Sequence, residues 1–184
     1  MHGVIINPVG RDAVRNTAKT GEKPAIIIMA TTINAKVQNI RVYSNGDSIR
    51  YRVSFDTEFD AFVKTNDEYV EGQVNYVDFV PRHLIAIVLN AVPGTDLLYT
   101  AAKERSLRND GENGFGAAQL SVILRDAKMV LEREKFEAGS EYTDSDGVIC
   151  VHEHDGYNTE ITSITITDRV QDKLDRLMDK MLGL

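Results

Sequence analysis

The chemical reading starts with two histidines one residue apart, in His152-Glu153-His154-Asp155. On an extended strand, alternate side chains share a face, so this pair is the candidate for two metal ligands. A catalytic zinc site takes three protein ligands and an open position. Asp144, Asp146, Asp155 and Glu160 are the carboxylates available to complete one, and nothing in the spacing selects among them. The plainer reading is an exposed strand beside a turn, so no metal or cofactor is assigned and His152 and His154 stand only as candidates. Cys150 has the same parity. Residues at i and i+2 stand about 7 Å apart on a strand, whereas a Cys–His nucleophile pair needs contact. Gly111-Glu112-Asn113-Gly114-Phe115-Gly116 lacks the Gly-Lys-Ser/Thr ending of a phosphate loop, and no strand immediately precedes it. The acid pairs Glu132/Glu134 and Asp144/Asp146 read as solvated surface, because no pocket is evident to shift their pKa values. The expectation is a protein that is not an enzyme.

A second constellation is of another kind. Arg41, Tyr43, Arg50 and Arg52 sit on or beside an Asn-Gly turn, and Phe59, Phe62, Tyr69, Tyr76 and Phe79 follow. Proteins that bind single strands combine cations for the backbone with aromatic rings for the bases. Period-two alternation puts Ile49, Tyr51, Val53 and Phe55 on one face and Arg50, Arg52 and Ser54 on the other. Tyr51 and Phe55 therefore read as core, as several of the other rings can. Arg50 and Arg52 project together. The candidate nucleic-acid-binding set is Arg41, Tyr43, Arg50, Arg52, Tyr69 and Tyr76. The formal net charge of −7 opposes phosphate binding, but a ligand feels the local field. Residues 24–55 hold Lys36, Arg41, Arg50 and Arg52 against Asp47 alone, whereas residues 138–160 hold six acids and no Lys or Arg.

These residues need elements to carry them. Ser44-Asn45-Gly46-Asp47 between β-type runs is a hairpin signal, so strands are expected over 35–43 and 48–55. A second strand pair is expected over 58–64 and 69–80, turning at Thr65-Asn66-Asp67-Glu68 and broken by Pro81. Residues 82–92 are apolar and ambiguous. Residues 96–108 read as a helix with Thr95 as N-cap. Leu120, Val122 and Leu124 alternate as in a strand, and a paired strand is expected over 127–136. Strands over 148–154 and 160–167 are joined by Asp155-Gly156-Tyr157-Asn158. After Asp168, read as an N-cap, Val170, Leu174, Leu177, Met178, Met181 and Leu182 recur at helical spacing. Such a stripe packs on its own domain or joins a second copy. Residues 1–34 read as an arm and first strand, with an apolar run at 25–30 and cations at Arg11, Arg15, Lys19 and Lys23. Residues 35–168 then form the domain, with a helical insertion around 82–108, and residues 169–184 form a terminal helix.

At 184 residues, 42% hydrophobic and 27% charged, the chain fits one globular domain. One cysteine suits a reducing compartment. The longest apolar runs fall far short of the roughly 20 residues of a membrane span, and no secretory signal is seen. A soluble, cytoplasmic protein is expected.

The order of elements resembles an OB barrel of the single-stranded-DNA-binding kind with long insertions. Phe136-Glu137-Ala138-Gly139-Ser140-Glu141-Tyr142, Asp146-Gly147-Val148, and the run from Tyr157-Asn158-Thr159-Glu160-Ile161 to Ile166 resemble the last strands of small phage or mobile-element proteins of that family. The resemblance covers roughly residues 30–168. The chain has no Trp for stacking and no acidic tail tip, unlike the better-known bacterial members. What the resemblance implies is a mainly β, OB-like barrel, with α+β as the alternative. It implies non-sequence-specific binding of single-stranded DNA in replication or recombination. The rival expectations are a viral structural or assembly protein and, further off, a metal-dependent hydrolase using His152 and His154.

Overall fold

The computed structural model describes residues 30–109 and 114–184. The cations at Arg11, Arg15, Lys19 and Lys23, the apolar run at 25–29 and the centre of the glycine-rich loop lie outside the described residues. Three long strands come first: β1 (Thr31–Asn45), β2 (Ser48–Thr65) and β3 (Glu68–Phe79). Three helices follow, α1 (Pro81–Ala91), α2 (Thr95–Arg108) and α3 (Ala117–Ile123). Then come β4 (Lys128–Phe136), the short β5 (Glu141–Thr143) and β6 (Ile149–Val151), β7 (Gly156–Thr165), and α4 (Asp168–Leu182).

The main sheet has the order β3-β2-β1-β4-β7, and every pairing in it is antiparallel. β1 serves two neighbours in turn. Residues 31–36 pair with β4, and from Val37 onward the strand pairs with β2. The changeover is secured by hydrogen bonds outside the ladders. The Val37 N–H donates to the Ala127 carbonyl at 2.7 Å, and the Lys36 N–H donates to Asp56 Oδ1 at 2.8 Å. The register of β1 on β2 shifts between Val37 and Asn39, and that of β2 on β3 shifts between Ser54 and Phe59. Bulges of this sort bend strands and increase twist, and the curled sheet brings its two ends together.

The ends meet through side chains. Lys135 on β4 lies 3.3 Å from Glu71 on β3, the Tyr157 hydroxyl on β7 donates to Glu71 at 3.4 Å, and the Phe62 and Tyr157 rings stack at 5.6 Å. Among the described residues no ladder joins β3 to β7, so the sheet does not close into a barrel. The architecture is mixed α+β: a five-stranded antiparallel sheet with four helices among the described residues, and the β5–β6 hairpin apart.

The core fills the inside of the curl. Val53, Phe55, Phe79, Leu84, Leu120, Leu124, Met129 and Leu131 are fully buried, and Phe59 and Tyr51 join them. Residues 82–92 resolve as α1, with Pro81 at its first turn, where a missing N–H costs nothing, and with Leu84 and Val88 inward.

Several expectations are corrected. The alternating run at 120–125 is the helix α3 and its end, with Leu120, Ile123 and Leu124 buried at helical spacing while Val122 faces out. Thr95 does not cap α2. Gly94 holds the cap position at φ 82°, and the Thr95 hydroxyl donates to the Val92 carbonyl at 2.7 Å. Asp168 is inside α4, after Thr167 at the cap. The strand expected over 148–154 is only β6, paired with β5, and Gly156-Tyr157-Asn158 belongs to β7. No helix among the described residues is long and apolar enough to cross a membrane.

Candidate nucleic-acid interface

The Gly46 turn (φ 63°) sets the β1–β2 register. Tyr43 lies opposite Arg50, Arg41 opposite Arg52, and Asn39 opposite Ser54. On the other side, Arg52 pairs with Asp78 and Ser54 with Tyr76. Alternation sends Tyr51, Val53, Val77 and Phe79 into the core, so Asn39, Arg41, Tyr43, Arg50, Arg52, Ser54, Tyr76 and Asp78 share the opposite face of the three-stranded meander.

Arg52 is the centre of that face. Its Nε and Nη2 donate to the two carboxylate oxygens of Asp78 at 2.7 and 2.8 Å, a bidentate pair. Its guanidinium carbon lies 3.8 Å from the centroid of the Tyr43 ring and 3.8 Å from that of Tyr76. One cation thus bridges a tyrosine from β1 and a tyrosine from β3. Burial opposes the charge on Arg52, but the Asp78 hydrogen bonds and charge outweigh it and hold the guanidinium pKa above its ordinary value. Burial pushes the Tyr76 hydroxyl up, against the pull of Arg52. Arg41 is exposed and Arg50 half-exposed, and neither has an ion-pair partner among the described residues.

The six sequence candidates therefore divide. Arg41, Tyr43, Arg50, Arg52 and Tyr76 come together, with Arg52 anchoring the rings rather than presenting an open fork. Tyr69 lies elsewhere, next to the β2–β3 turn, where its ring meets His154 at 4.3 Å between centroids. Asp67, Glu68, Glu153 and Asp155 line the cleft beside it, an acidic setting that repels phosphate.

The two candidate metal ligands also part. The strand ends at Val151, so His152 and His154 are not on one extended face. His152 is buried, stacked between Phe136 and Tyr142 at 3.7 and 4.3 Å, and burial pushes its pKa below the usual histidine value. His154 is exposed against Tyr69. No group of three or more metal-capable side chains forms among the described residues. The half-buried Cys150 lies 3.8 Å from Asp144, not beside a histidine.

Two residues of consequence were missed in the sequence. Asp78 is readable in hindsight, since it alternates with Tyr76 on β3. Arg133 left no local signal. It is 3% exposed, donates through Nε to the Thr159 hydroxyl at 3.2 Å and through Nη1 to the Asp60 carbonyl, and lies between the Phe59 and Tyr157 rings. Burial pushes its pKa down to about 10, which leaves it charged at neutral pH. It binds β4 to β2 from inside the curl.

Compared with known proteins, the chain matches no family model, no curated protein and no solved structure.

Proposed function

We propose that this protein binds single-stranded nucleic acid, DNA in the first instance, without sequence specificity, on the solvent face of β1, β2 and β3. The observation that carries the reading is the Tyr43–Arg52–Tyr76 cluster flanked by Arg41 and Arg50. Arg41 and Arg50 supply cations for a phosphate backbone, and the Tyr76 ring, held by Arg52, supplies a platform for a base. The reading is of a binding module, not of an enzyme.

The architecture supports an OB-like description. A meander of three strands, a helical insertion, a strand returning to β1 and a last strand beside it give the order β3-β2-β1-β4-β7. OB folds bind oligonucleotides on the face of their second and third strands and on the loops after the first and fourth. Here the first three correspond to β2, β3 and the Gly46 turn, whereas the fourth, the segment that carries β5 and β6, is acidic and lies off the proposed face.

Fluorescence anisotropy with labelled single- and double-stranded DNA and RNA over a salt series tests the reading. Single strands should bind better than duplex. Arg41→Ala/Arg50→Ala should weaken binding of all sequences alike and flatten the salt dependence by about 0.7 per lost contact. Tyr76→Ala should cost about 1–3 kcal/mol of binding with little change in slope. A parent that binds no single strand at low salt sinks the proposal, and so does an arginine double variant that binds like the parent.

One observation favours a second reading, a structural or assembly protein that joins copies of itself. Leu177, Met181 and Leu182 on α4, and Leu184 after it, are exposed. A monomer at all concentrations in sedimentation would exclude it.

A further inference from the structure

We propose that the bound strand does not end at the β1–β3 face but continues into a basic cleft between α3 and α4, so that the terminal helix is part of the nucleic-acid track. This rests on the function proposed above. The cleft has a volume of about 800 Å³, and four cations line it: Arg125 just after α3, and Arg169, Lys173 and Arg176 on α4. All four are exposed and none has an ion-pair partner among the described residues. The opposing acids in the lining are Asp126 and Asp172, and Asp126 is already met by Lys36 at 3.3 Å. In a protein of net charge −7, this is a concentrated positive site.

The helix sorts its charges by period. Arg169, Lys173 and Arg176 recur at spacings of four and three, so they form one stripe. Leu174 is buried and Val170 half-buried on the packed side. The stripe runs about 10 Å along the axis at the α-helical rise. That is a line of charge rather than a point, and it suits a polyanion better than a single phosphate.

Continuity with the proposed face is direct. A smaller cleft of about 310 Å³ is lined by Gln38, Asn39 and Ser121, and it shares Val122 and Arg125 with the basic cleft. Asn39 stands in the row Asn39–Ser54–Tyr76 of the meander face. α3 is fixed there, because the Ser121 hydroxyl donates to the Ile40 carbonyl at 3.1 Å on the side of β1 that β4 has left. A strand lying over Tyr76 and Arg41 thus meets Asn39, then Arg125, then the α4 stripe. Solvated cations along an open groove are what sequence-independent backbone contact requires.

The test compares the parent with Arg169→Gln/Lys173→Gln/Arg176→Gln on oligothymidines of ~8 and ~30 nucleotides, the shorter within and the longer beyond the roughly 4–16 nucleotides one OB module covers. The expected result is unchanged affinity for the short oligomer, at least a tenfold loss on the long one at moderate salt, and a salt slope on the long one lower by about 2. Should the triple variant melt early, Arg176→Gln alone, with a slope change of about 0.7, makes the same test. Parental affinity and slope on the long oligomer overturn the extension while leaving the β1–β3 face intact. Equal loss on both lengths also overturns it, as does an altered mass in solution with unaltered binding, which would mark the cleft as a contact between copies. A parent that binds neither length refutes the functional reading itself.

Discussion

Arg52 gives two donors to a carboxylate only 6% exposed, with a tyrosine ring on either side. Removing such a cation leaves its partner desolvated and unpaired. Arg52→Ala should therefore destabilise the fold by about 2–4 kcal/mol, and Arg52→Met/Asp78→Leu should cost less than the sum of the two single changes, read from urea midpoints. Strict additivity would show no coupling. For this reason Arg52 is a poor probe of binding, and Arg41 and Arg50 are better ones. His152 carries a pH prediction. Its folded pKa lies below the unfolded value because burial between Phe136 and Tyr142 disfavours the cation. Its contribution is present above about pH 6.5 and is lost as the pH falls from there through the folded pKa. Thermal midpoints should decline from about pH 6.5 downward, and His152→Phe should remove that part of the decline; an unchanged profile would contradict it. Of the candidate site, the shared outward face of Arg50 and Arg52 was legible, but the partners of Arg52 and the separate position of Tyr69 were not. Counting back from Thr65 opposite Glu68 in unbroken register puts Arg52 opposite Pro81. The break between Ser54 and Phe59, five positions on β2 against two on β3, moves it to Asp78. Nothing local in the sequence announces that break.

At the scale of elements, the hairpins and the terminal helix were readable because turn chemistry and period agreed over long stretches. α3 was not, because Leu120-Ser121-Val122-Ile123-Leu124 fits both a period of two and a period near four, and a window so short does not decide between them. Its environment decides: a helix there covers the flank of β1 left open where β4 departs. The terminal helix was legible as amphipathic, but its apolar stripe is only partly packed. Leu174 is buried at 4% and Met178 sits against Gly94, whereas Leu177, at 40%, and Met181 are exposed. Leu174→Ala should cost about 2–4 kcal/mol, and Leu177→Ala under about 1 kcal/mol. Similar losses at both positions, by thermal or urea unfolding, would show that Leu177 is covered in solution. Gly46 tests the first turn. A Cβ there meets nothing within 4 Å, so any cost of Gly46→Val comes from its φ of 63° alone. The expected loss is about 1 kcal/mol or more, and an unchanged melting midpoint would contradict the turn geometry.

Over the whole molecule, composition concealed the charge pattern. A net −7 is compatible with a basic cleft because four cations outnumber Asp126 and Asp172 in its lining, while acids without Lys or Arg line the cleft beside Tyr69 and crowd the segment of β5 and β6. Long-range closure was equally hidden, since the contacts of Glu71 with Lys135 and Tyr157 join strands far apart in the chain. The double duty of β1 has a consequence for how the chain reaches this state. Its pairing with β2, and that of β2 with β3, close across tight turns, whereas its pairing with β4 must wait for three helices to be laid down between Phe79 and Lys128. Short loops close at less entropic expense than long ones. The meander should therefore organise early, with residues 31–36 of β1 left without a partner strand until β4 and β7 arrive late. Val53→Ala should then chiefly slow refolding, and Ile161→Ala should chiefly hasten unfolding, as the two arms of a chevron would report. The reverse pattern would mean that the distant half of the sheet nucleates the fold.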